Sequence, residues 1–104
     1  MSADPGTSQL ADRGQGQCVL SGALTLESVP WLWKELETTG LLADAREVDL
    51  SGVHAADSAG LALLMAWKAH SLKRGGSLAF SGVPENLLAL AALTDAQSML
   101  VPAG

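Results

Sequence analysis

The sequence predicts a single α/β domain with helices packed on a largely parallel sheet, and three observations carry that expectation. A chain of 104 residues holds one modest core and not two. Apolar residues make up 48% and charged residues 16%, a globular composition. Strand-like segments alternate with segments of helical spacing, and strands joined by helix-length crossovers pair in parallel.

Residues 1–8 offer nothing to bury and read as a loose tail, leaving a domain over residues 9–104. Gln9 to Asp12 carries a weak strand pattern. Cys18, Val19 and Leu20 form a firmer one, from Gln17 to Ser21, that stops at Gly22. In "SVPWLWKELETTG", Ser28 stands as a cap, Pro30 falls early in the first turn and Gly40 follows the last. Val29, Leu32, Trp33 and Leu36 share one face of that helix, with Lys34, Glu35 and Glu37 elsewhere. "REVDLSG" alternates Val48 and Leu50 with Glu47, Asp49 and Ser51, the pattern of a half-buried strand. A long helix is expected from about Ser58 to Arg74. Gly75 and Gly76 end it, and Lys73 and Arg74 complement its carbonyl end. "SLAFSG" is the next strand, and Pro84 opens a third helix running to about Thr94. "QSMLVPAG" reads either as a last short strand or as a frayed end.

Composition excludes several functions. The net charge is -5, which gives no general attraction to phosphate backbones or anionic lipid headgroups, so neither nucleic acid nor direct membrane binding is expected. The longest apolar runs, Leu61–Trp67 and Leu87–Leu93, are about a third of the length a bilayer span requires. The opening "MSADPGTSQLADRGQGQ" has no basic and no apolar region of a secretory signal, and a soluble cytoplasmic protein is expected. Cys18 is the only cysteine and reads as a small core residue.

Chemistry-bearing groups are few. His54 and His70 are the only imidazoles, tyrosine is absent, and no metal-binding spacing occurs. "SGVHAADSAG" matches neither glycine-rich phosphate loop, so no nucleotide or other cofactor is expected. Ser58, His54 and Asp57 crowd a single hinge, whereas catalytic triads draw their members from separate elements around a cleft.

The long helix carries two apolar stripes. Leu61, Met65, Ala69 and Leu72, with the Lys68 stem at the margin, form the expected core face. Ala59, Leu63, Ala66, Trp67 and His70 lie opposite. Either the domain's own helices cover that second stripe, or Leu63 and Trp67 belong to a docking surface, with Trp33 a further candidate. At the head of the same helix, either Asp57 or Ser58 can cap the first-turn amides. If Asp57 caps, the Ser58 hydroxyl is free for solvent or a partner, and a phosphate there would add nearly two negative charges.

These residues carry a family resemblance. "VDLSGVHAADSAGLALLMAWKAHSLKRGGSLAFSGVPENLLALAALT" resembles the central part of a STAS domain, the fold of anti-sigma factor antagonists and of sulfate-transporter C-terminal domains. The matching features are the strand "VDLSGV", the "DSAGL" hinge, the helix ending in a basic pair before Gly75, and the strand and "GVPENLLALAAL" helix beyond. Within the family, "LSGALTLESVPWLW" and "GLALL" are most similar to MlaB-like subunits of the bacterial ABC transporter that moves phospholipids between membranes. The resemblance implies about four strands in a largely parallel or mixed sheet, three or four packed helices, and no catalysis. It also implies an accessory subunit that binds the transporter's ATPase, itself in complex with its permease. Trp33, Asp57, Ser58, Ala59, Leu63 and Trp67 are the expected contacts, and Ser58 takes the place of the family's contact or phosphorylatable hydroxyl. MlaB-like proteins often carry Thr at that place, and many other members have Ser or Gly where this chain has Ala59. An anti-sigma factor antagonist switched at Ser58 is the alternative implied by the wider family.

Overall fold

The computed structural model describes residues 9–93. Strands β1 (Gln9–Gly14) and β2 (Gln17–Leu24) lead into helices α1 (Val29–Thr39) and α2 (Leu41–Asp44). Strand β3 (Glu47–Ala56), helix α3 (Ser58–Lys73), strand β4 (Ala79–Ser81) and helix α4 (Glu85–Leu93) follow. The expected tail at residues 1–8, Thr94 and the "QSMLVPAG" segment lie outside the described residues.

The sheet is mixed, in the order β1-β2-β3-β4. β1 pairs antiparallel with β2 through a tight turn, in which Gly14 and Gly16 adopt positive φ, while β2–β3 and β3–β4 are parallel. The parallel pairs are those joined by helices, as their connections require. β2 runs three residues beyond the predicted end at Ser21. Gly22 takes φ 91°, and the ladder shifts register on both sides of it, so the glycine bends the strand without ending it.

Strand alternation sets the layers. Cys18, Leu20, Val48, Leu50 and Phe80 point into one core, which also takes Leu32 and Leu36 of α1, Leu41 and Leu42 of α2, and Leu87 and Ala91 of α4. The intervening Gln17, Val19, Glu47, Asp49 and Ser81, with Arg13 of β1, line a shallow polar depression of about 210 Å³ on the opposite face. Cys18 is a core residue, as expected. Burial first, and the nearby Asp12 carboxylate second, push its thiol pKa up to about 11.

Two local expectations need correction. Ser28 stands in the cap position of α1 but caps nothing by its side chain. Its buried hydroxyl turns back on the preceding loop, 2.8 Å from the Ala23 carbonyl oxygen, and accepts from the Thr25 amide at 3.0 Å. The short helix α2, absent from the sequence reading, follows Gly40 at φ 82° and supplies two buried leucines.

The larger correction concerns α3. Its burial axis runs between the two stripes read from the sequence: Gly60, Leu64, Trp67 and Ser71 are buried, flanked by Leu61 and Leu63. The solvent face is Ala62, Ala66, Ala69 and Lys73, and Leu72, assigned to the core face, is exposed. Trp67 is 0% exposed. Its indole nitrogen donates to the Leu41 carbonyl oxygen at 3.2 Å, and its ring meets Phe80 edge-on at 6.2 Å between centroids. Leu63 is only 3% exposed. Neither Leu63 nor Trp67 is available to a partner.

Close approach of α3 to β2 depends on Gly60, where a Cβ would fall on the Leu24 carbonyl oxygen and lie 2.8 Å from the Leu24 carbonyl carbon. Backbone cannot yield as a flexible side chain can, so Gly60→Ala should cost roughly 1–3 kcal/mol, measured by chemical denaturation. Trp67→Ala should cost about 3–5 kcal/mol in the same measurement, because it opens a cavity and leaves the Leu41 carbonyl without its indole partner.

Candidate functional site

The β3–α3 junction is built on Asp57, which takes an extended conformation (φ −131°, ψ −172°) and caps α3. One carboxylate oxygen accepts from the amides of Ala59 at 2.9 Å and Gly60 at 3.1 Å. The other accepts from the Leu26 amide at 3.0 Å, across 31 residues of sequence. The Asp57 amide in turn donates to the Leu24 carbonyl at 3.1 Å. The loop after β2 and the head of α3 are therefore held as one unit.

That arrangement settles the choice of cap. Asp57 caps, and Ser58 is the first helical residue, exposed, its hydroxyl in no hydrogen bond among the described residues. The Leu26 amide, followed by those of Gly60 and Ala59, holds the Asp57 carboxyl below its ordinary pKa of 3.8. Both carboxylate oxygens go to backbone amides, so neither orients His54, whose side chain is exposed. A triad of Ser58, His54 and Asp57 is not assembled. The positive end of α3 is likewise already occupied by a carboxylate, so a phosphate on Ser58 would meet a filled cap.

Beside this junction, Ser58, Leu61, Ala62, Met65, Leu90 and Leu93 line an apolar groove of about 330 Å³ between α3 and α4. Leu93 on one wall is 83% exposed, and Leu26, whose amide reaches Asp57, is 71% exposed. Such large apolar side chains in solvent, next to an open apolar groove, have the character of a contact surface.

The predicted residues separate accordingly. Asp57, Ser58 and Ala59 come together at the helix head, with Ala59 half-buried and its amide committed to Asp57. Trp33 sits on α1, half-buried against the core; the tryptophan that faces solvent is Trp31, at 48% exposure. Leu63 and Trp67 drop out. Exposed Leu26, and the groove-lining Ala62, Leu90 and Leu93, were not among the predicted contacts. One signal was present in the sequence: α3 has small residues at positions 62, 66 and 69, a stripe too slight for a core face, and Ala62 of that stripe lines the groove.

Among the described residues, no helix is long and apolar enough to cross a membrane, and no group of three or more His, Cys, Asp or Glu side chains is placed to hold a metal.

Acidification should expose the role of Asp57. A carboxyl whose pKa is lowered by folding contributes stability in full above its ordinary value, and that contribution is lost as pH falls through the lowered value. Asp57→Asn keeps an oxygen to accept amide bonds but cannot titrate. Its denaturation midpoint should fall less steeply than that of the unmodified chain below about pH 4. Asp57→Ala should lower the midpoint at neutral pH too. An Asn variant with an unchanged acid slope would refute the assignment.

Comparison with known proteins bears on the fold and the family. No curated protein matches the sequence. The fold is similar to the anti-sigma factor antagonist SpoIIAA in its unphosphorylated form, with a TM-score of 0.70 and 13% identity over 93% of this chain and 88% of that one. The phosphorylated form of SpoIIAA, a Bacillus cell fate determinant, gives a TM-score of 0.66 at 13% identity over 93% and 91%. The murine anion transporter Slc26a9 gives 0.59 at 16% identity, covering 90% of this chain and 17% of the transporter. At these identities the likeness is one of fold. The sequence itself is matched over residues 9–102 by the family model described as "Mlab, STAS domain", and the chain belongs to the STAS domain family.

Proposed function

We propose that this STAS domain is a non-enzymatic accessory subunit of a phospholipid-transport ABC transporter, bound to the cytoplasmic ATPase in complex with its permease. Two things support the reading: the MlaB description of the matching family, and an exposed Ser58 hydroxyl, in no hydrogen bond among the described residues, beside an apolar groove on a capped helix. The second observation carries the mechanism. Ser58 and the α3–α4 groove are the docking surface, and Asp57 holds them in register with Leu26. The subunit needs no chemistry of its own. A domain that binds one arrangement of the ATPase better than another shifts its population by the difference in affinity. The complex sits peripheral to the inner membrane through the permease, and the chain itself does not enter the bilayer.

A second reading, an anti-sigma factor antagonist released by phosphorylation of Ser58, is favoured by the likeness to both forms of SpoIIAA. The two readings divide on partner and on the state of Ser58 in the cell. Intact-mass spectrometry of the chain from its native host should find Ser58 unmodified under the first reading and largely phosphorylated under the second.

Two variants test the docking surface, both at exposed positions that leave the core untouched. Ala62→Arg and Ser58→Glu each place a charge in an apolar lining that becomes dry on contact. Each should weaken co-purification with the ATPase by about tenfold or more while leaving circular dichroism and the thermal midpoint unchanged. Retention of the ATPase by both variants at wild-type levels would remove the surface from consideration.

A further inference from the structure

We draw no further inference here: the strongest candidate, the apolar groove between α3 and α4 beside Ser58, belongs to the docking surface already described, and nothing in the structure shows what covers it.

Discussion

The Asp57 carboxylate is the constraint on which the functional end of this domain depends. A helix start leaves several amides without partners, and an extended chain leaving β2 leaves others. One side chain answers both: its two oxygens take Ala59 and Gly60 at the head of α3 and Leu26 in the loop before α1. The geometry is possible only because β2 and β3 are parallel neighbours that end together, Leu24 opposite Ala56. The next residue after β3 then stands beside the loop after β2. Sheet register thus delivers the cap, and the cap delivers Ser58 to solvent on a fixed backbone.

The same closeness explains Gly60. α3 must leave the sheet edge tightly enough for its first turn to pass the Leu24 carbonyl, which no Cβ allows. From there the helix is enclosed along most of its circumference, with the sheet beneath, α1 and α2 on one side and α4 on the other. Its open strip is alanine-rich, and Ala62 from that strip also lines the trough between α3 and α4. Packing of the core and exposure of the candidate site are two faces of one arrangement.

Charge is distributed to match. The polar sheet face mixes Arg13 with Glu47 and Asp49, and the basic pair Lys73 and Arg74 closes α3 at the far end from Ser58. The apolar trough lies at the Ser58 end of the same helix.

Much of this was readable from residue order. The alternation of Val48 and Leu50, the proline and glycine that bound α1, and the glycines after α3 are local signals, because each acts through its own backbone or its immediate neighbours. The STAS resemblance rested on the same stretches. What remained open were the choice between Asp57 and Ser58 as cap, the passage of β2 through Gly22, the existence of α2, and the side from which α3 is buried. Each is decided by something distant in sequence: the Leu26 amide for the cap, the β3 ladder for Gly22, the Trp67 indole meeting the Leu41 carbonyl for α2. A helix in which nine of sixteen positions are Ala, Leu or Met, distributed around its circumference, carries little directional information. Its neighbours alone chose that Trp67 would be sealed and Ala62 bared.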